Sequence, residues 1–234
     1  MTLDELVNQL KLAYGGALRS VVLYGSAVTG EHIAKKSDYN VLVVVDAITI
    51  DNLRKAAAVA SAWSGDGNPP PMTFTTAEWK SSSDIFPMEY TDILERHRVL
   101  HGEAPFEGIS VSPSDLRLQV EHEAMGKLLQ LRQGVMAAGG DTKNQIALLE
   151  DSLSTLMVIF RGVARVSGDS APQDYEALAT AVAARAGFNA QPFIAVIRHV
   201  RGKEKLPRER AVSVVEGYLA GMERLVAYLD SQGR

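Results

Sequence analysis

One stretch near the N-terminus restricts the fold of this chain more than any other. It reads Val21-Val22-Leu23-Tyr24-Gly25-Ser26-Ala27-Val28-Thr29-Gly30, then Ser37-Asp38-Tyr39-Asn40 and the apolar run Val41-Leu42-Val43-Val44-Val45. The segment from Leu18 to Tyr24 is short, β-branched and aromatic, which predicts a buried strand. It ends at Gly25-Ser26, where a helix should begin. Glycine lets a backbone approach a phosphate closely, and a serine hydroxyl beside helix N-terminal amides can hold phosphate oxygens. Eleven residues lie between Ser26 and Asp38. Tyr39 to Val45 predicts a second strand, with Val41, Val43 and Val45 on one face and Leu42 and Val44 on the other. Both faces are apolar, so this strand belongs in the middle of a sheet covered on both sides. Asp38 and Asn40 stand two apart, which places them on one strand face. Oxygen ligands opposite a phosphate-binding turn are what a magnesium–nucleoside triphosphate site needs.

The rest of the first half alternates helix and strand. Thr2-Leu3-Asp4-Glu5 matches a capping box, and Leu3, Leu6, Val7 and Leu10 follow at helical spacing up to Gly15-Gly16. Asp51 to Trp63 is an Ala-rich helix, and Gly65 to Pro71 is a turn that no regular element crosses. Met72 to Thr76 reads as a third strand, Phe86 to Thr91 as a fourth and Arg98 to His101 as a fifth. On the fourth, alternation sets Glu89 and Thr91 opposite Met88 and Tyr90, with Asp92 on the Met88 side. From Ser112-Pro113, an N-cap followed by proline, the chain reads as helix throughout. The first helix runs to about Ala138. Asp141 caps a second, whose wide apolar face (Ile146, Leu149, Leu153, Leu156, Met157, Phe160, Val163) suits the centre of a bundle. Helices over Gln173 to Ala186, Gln191 to Val200 and Pro207 to Asp230 complete it. The expected class is α+β: a small mixed β-sheet domain over residues 1–110, then an all-α helical bundle over 111–234.

Composition removes several function classes. The chain has no cysteine, which excludes disulfide scaffolds, thiol nucleophiles and thiolate zinc sites. Its net charge of −4 does not suit binding of nucleic acid by bulk basicity. The longest uncharged apolar stretch in a helical pattern, Ser152 to Phe160, is roughly half of the ~20 residues a membrane span needs. The N-terminus lacks the basic start and apolar run of a signal peptide, so a cytoplasmic location without membrane contact is expected. Arg198 to Arg210 holds six Lys/Arg against Glu204 and Glu209. It could attract phosphates, but a solvated interhelical loop is the favoured reading.

The strand, Gly-Ser, short interval and Asp-x-Asn strand resemble the nucleotidyltransferase superfamily, the fold shared with DNA polymerase β and the aminoglycoside adenylyltransferases. The resemblance is close over residues 18–46 and looser to about 105. The helical half looks like the bundle appended to many small members. It implies transfer of a nucleoside monophosphate from Mg²⁺-NTP, with ATP the expected nucleotide, to an acceptor hydroxyl on a small molecule or macromolecule. Position by position, Gly25 and Ser26 match the phosphate-binding turn, and Asp38 matches the first metal-binding carboxylate. Asn40 occupies the second metal position, where the family has Asp or Glu, and its neutral carbonyl oxygen should hold a hard cation less well. Glu89 is the best candidate for the third carboxylate, with Asp92 as the alternative. Asp38 and Glu89 are thus the expected catalytic residues, and Lys35 and Lys36 could reach a triphosphate. The acceptor is expected in a cleft between the halves. The incomplete carboxylate set leaves an alternative, an inactive relative that binds a nucleotide or a protein partner in an antitoxin-like or assembly role. Homo-oligomerisation stays open.

Overall fold

The computed structural model describes residues 1–28 and 39–232. The chain divides into two compact units, Met1–Ser112 and Pro113–Arg234.

The first unit opens with α1 (Leu3–Tyr14), held by the expected capping box. The Glu5 N–H donates to Thr2 Oγ1 at 3.2 Å, and the Thr2 N–H donates to the Glu5 carboxylate at 2.7 Å. Then follow β1 (Leu18–Tyr24), β2 (Asn40–Val45), α2 (Ile50–Gly65), β3 (Met72–Thr75), α3 (Thr76–Ser81), α4 (Pro87–Glu95) and β4 (His97–Gly102). The strands form one mixed sheet in the order β3-β2-β1-β4. β1 runs antiparallel to β2 and β4, while β2 and β3 are parallel.

β1 and β2 are the central strands, and both of their faces are buried. Val21, Leu23, Val41, Val43 and Val45 pack against Leu6, Leu10 and Tyr14 of α1 and Trp63 of α2. Val22, Leu42 and Val44 pack on the other side against Trp79 of α3 and Tyr90 and Ile93 of α4. The double-sided apolar pattern of Tyr39 to Val45 therefore has the meaning expected of it.

One expected strand is a helix. Phe86 to Thr91 belongs mostly to α4, with Pro87 in the first turn. Proline has no N–H to give a sheet ladder, but the first helical turn leaves that donor unused anyway. Tyr90 and Ile93, three residues apart, supply the buried face. The Tyr90 ring stacks on Trp79 at 4.1 Å, and its hydroxyl donates to the Trp79 carbonyl at 2.7 Å. β4 is consequently the fourth and last strand among the described residues.

The second unit holds α5 (Pro113–Ala138), α6 (Thr142–Val166), α7 (Tyr175–Ala186), α8 (Gln191–Val200) and α9 (Ala211–Gln232). Asp141 caps α6 by accepting the Lys143 N–H at 2.8 Å. α6 buries Leu149, Leu153, Leu156, Met157, Phe160 and Val163, as its wide apolar face predicts. Phe160, Phe188, Phe193 and Tyr218 form an aromatic cluster. Its polar end is closed by a 3.0 Å hydrogen bond between the Tyr218 and Ser152 hydroxyls. α9 starts later than expected, because Arg208–Arg210 forms a separate 3₁₀ turn ahead of it. The sheet and the following helices together are the α+β architecture read from the sequence. Among the described residues no helix is long and apolar enough to cross a membrane.

Candidate functional site

β1 delivers the chain directly into a 3₁₀ turn, Gly25–Ala27. Gly25 has φ of +80°, a left-handed conformation that a side chain would strain. Its N–H donates to the Arg96 carbonyl at 3.1 Å, which ties the turn to the end of α4. That amide is therefore committed within the fold and is not offered to a phosphate.

Asn40 opens β2 directly opposite Tyr24. By alternation it shares the α4-facing side of the sheet with Leu42 and Val44. A Cβ built on Gly25 would lie 3.6 Å from Asn40 Nδ2 and 3.8 Å from Asp92 Oδ2. The turn, the Asn40 amide and a carboxylate of α4 thus converge at the end of the two central strands.

Two carboxylates of α4 bear on this place. Glu89 and Asp92 are three residues apart, so the helix sets them on neighbouring positions of one face. Burial raises the Tyr24 phenol far above its ordinary range, and the negative charges of Glu89 and then Asp92 raise it further. Asp92 also takes an ion pair from Arg96, whose side chain is 8% exposed. A strand would place Asp92 and Glu89 on opposite faces; the helix sets them on one.

The expected site residues fall into two groups. Gly25, Asn40 and Glu89 lie around the end of β1, and Ser26 belongs to the turn itself. Asp38 and Lys36 lie outside the described residues. Among the described residues no group of three His, Cys, Asp or Glu side chains could hold a metal ion. The donors that are described, the Asn40 carbonyl and the Glu89 carboxylate, are hard oxygens of the kind Mg²⁺ accepts. Tyr24 and Arg96 were not singled out from the sequence. The signal for Arg96 was present: Asp92 and Arg96 are an i, i+4 acid–base pair, which only a helix brings into contact.

Four residues of the basic stretch have partners within the second unit. Arg198 and Lys203 both bind Glu176, at 2.9 Å in each case. His199 Nε2 lies 3.0 Å from Glu150, and the Arg201 guanidinium stacks 4.2 Å from the Tyr175 ring centroid. Glu176 and the Tyr175 ring inside the second unit take up Arg198, Lys203 and Arg201.

No protein-family model and no curated protein sequence matches this chain. A solved structure does: spectinomycin adenyltransferase AAD(9) from Enterococcus faecialis, crystallised with ATP and spectinomycin. The two are 15% identical and superpose with a TM-score of 0.59, over 96% of this chain and 99% of the other. At that identity the likeness speaks for architecture, and it spans both the sheet and the helices. This chain has a nucleotidyltransferase-like fold with a helical C-terminal region.

Proposed function

We propose that this protein binds a nucleoside triphosphate at the Gly25–Ala27 turn and transfers its nucleoside monophosphate to an acceptor hydroxyl. The observation that carries this reading is the meeting of Gly25, Asn40 and Asp92 at the end of the central strands. A turn whose backbone disfavours a side chain, beside the Asn40 amide of the sheet and the Asp92 carboxylate of α4, is a place for a polyphosphate and its cation. The fold neighbour was crystallised with ATP and spectinomycin, which favours ATP and a small-molecule acceptor here.

In this reading Gly25 keeps the turn open, and Ser26 and the amides beyond Gly25 hold the terminal phosphates. Asp38, Asn40 and Glu89 would hold Mg²⁺, which would neutralise charge on the triphosphate. Lys36 would supply a further cation for the phosphates. Glu89 stands one helical turn from Asp92 on α4, and its negative charge acts on Tyr24 ahead of that of Asp92, so Glu89 is taken as the α4 ligand or proton acceptor. The acceptor oxygen attacks the α-phosphorus in line, its proton passes to a carboxylate, and pyrophosphate leaves. Positioning and charge neutralisation supply the rate.

A second reading has an observation of its own. Asn40 brings no charge where Asp or Glu would bring one, and Arg96 offsets the charge of Asp92. A nucleotide-binding protein without turnover, acting through a protein partner, needs no more than this. Calorimetric titration with Mg²⁺-ATP, followed by a pyrophosphate-release assay with hydroxylated and aminoglycoside-like acceptors, separates the readings. Binding with pyrophosphate release supports transfer, binding alone supports the second reading, and no binding by the folded chain removes both.

A further inference from the structure

Helix α5 buries one face in its bundle through Leu116, Val120, Ala124, Leu128 and Leu131. A second stripe lies elsewhere on the same helix: Leu118, His122, Met125, Leu129, Arg132 and Met136. Its steps alternate between four residues and three, the spacing of a helix–helix seam. At 3.6 residues per turn, the stripe is centred about 135° around the helix from the buried face. Its large apolar members are open to solvent: Leu118 is 64% exposed, Met125 44%, Leu129 48% and Met136 74%. Leu118 and Met125 also line a groove of about 870 Å³ against α9, shared with Leu128, Val226 and Ala227. Single exposed apolar residues need no explanation, but four aligned along one seam mark a contact surface.

The symmetry of the stripe identifies the occupant. Every position has a mate at equal distance from Lys127: Leu118 with Met136, His122 with Arg132, and Met125 with Leu129. Apolar mates with apolar, and planar imidazole mates with planar guanidinium. A stripe that reads alike in both directions is complementary to itself under a two-fold rotation, which is the condition for an isologous dimer. We propose that the outer face of α5 is a dimerisation seam on which a second copy of this chain docks antiparallel, with the two-fold axis at the level of Lys127.

Met125 and Leu129 then form the central layers, and Leu118 meets Met136 at each end. Arg132, paired with Glu223 in its own chain, packs against His122 of the other copy next to Glu121, so its charge stays neutralised in the seam. The seam is about 27 Å long at 1.5 Å per residue. Its apolar members offer on the order of 400 Å² per copy, half of the ~800 Å² per partner in a standard interface, so the dimer is reversible. A lipid surface suits the face less well. Glu121, Glu223 and Asp230 rim the same groove against Arg132, and anionic headgroups would repel them.

The absence of cysteine makes the register directly testable in the full chain. Leu118→Cys and Met136→Cys are prepared separately and treated with a short thiol–thiol cross-linker. Antiparallel docking gives a cross-linked dimer when the two variants are mixed, and almost none from either alone, because equivalent positions then lie about 27 Å apart. In sedimentation the unmodified chain should dimerise as concentration rises. Met125→Glu with Leu129→Glu should weaken that by about 100-fold or more, with unchanged thermal unfolding. A monomer at all concentrations overturns the proposal. So does self-cross-linking of Leu118→Cys, the mark of a parallel pair. Binding of a monomeric chain to anionic vesicles, lost in the double variant, would make the face a lipid contact and overturn it as well.

Discussion

Gly25 and Gly102 both sit at positive φ, yet a side chain would fail at them for different reasons. At Gly102, φ is +76° and a Cβ would stand 1.8 Å from the Arg19 carbonyl oxygen. That oxygen is backbone, in the strand that pairs with β4, so relief requires moving the ladder. Gly102→Ala should cost roughly 3 kcal/mol or more in urea unfolding, from strain and overpacking together. At Gly25 the nearest atoms would be in ordinary contact at 3.6 and 3.8 Å, so only the backbone conformation resists, by about 1–2 kcal/mol for alanine. Gly25→Val should therefore leave a folded but weaker protein that no longer binds Mg²⁺-ATP in calorimetry. Unchanged affinity would remove the turn from the site. Asn40→Asp probes the same place from the other strand. The carboxylate is nearly isosteric with the amide, but it adds a charge close to Asp92. Without Mg²⁺ the variant should be less stable than the parent. With Mg²⁺ it should recover and bind nucleotide about ten-fold more tightly, a gain of about 1.4 kcal/mol. A variant indifferent to Mg²⁺ in both measurements would sink the metal assignment at Asn40. The proximity of Asn40 to the Gly-Ser turn was legible in the sequence, because strand alternation and a short interval fix it. Asp92 was not, since its place depends on whether its segment is strand or helix.

At the level of elements, the glycines of the bundle divide into those that carry a helix contact and those that do not. A Cβ on Gly221 of α9 would lie 2.5 Å from Phe193 Cε2 and 2.8 Å from its Cζ. The ring belongs to the aromatic cluster and is fully buried, so it has little room to yield. Gly221→Ala should destabilise by roughly 1–3 kcal/mol through overpacking. Gly126 of α5 has nothing within 4 Å of the same construction, and Gly126→Ala should stabilise by up to about 1 kcal/mol. Opposite signs in urea melts of the two variants are the expected result, and stabilisation by both would mean that helix propensity alone governs the two sites. The same logic explains what the sequence revealed about the elements. α6 was readable because many apolar residues agree on one period, and α5 because Ser112-Pro113 marks its start. The segment around Glu89 was misread because five or six residues of mixed character satisfy both periods. There Pro87 and the Asp92–Arg96 spacing, rather than the alternation of Met88 and Tyr90, carried the information.

For the whole molecule, the open question is where the first unit ends as a folding body. A boundary drawn from composition falls near residue 110, where strand-like character stops, but the connecting segment has tertiary roles of its own. The Trp79 indole N–H donates to the Pro105 carbonyl at 2.6 Å, and Phe106, Ile109 and Val111 pack against the buried face formed by Val22, Leu42, Val44 and Tyr90. The sequence expectation of a domain over residues 1–110 includes most of this segment but not its packing, because the segment has no period, only apolar residues scattered between glycine and serine. We propose that residues 1–112 and 113–234 fold as separate domains, and that residues 105–111 belong to the first. Ending the first at residue 104 would uncover Trp79, which is 1% exposed, and leave its N–H without its acceptor. An unmade buried hydrogen bond costs about 1–3 kcal/mol, and each partly buried apolar side chain removed costs about 1 kcal/mol more. The fragment 1–112 should therefore exceed 1–104 in urea-unfolding stability by roughly 3 kcal/mol or more. Fragment 113–234, made of α5 to α9, should show a helical far-UV spectrum with a cooperative melt of its own. Equal stabilities for the two N-terminal fragments would show that the connecting segment is a linker. A C-terminal fragment without helical signal would show that the helices depend on the sheet, and the division into two domains would fall.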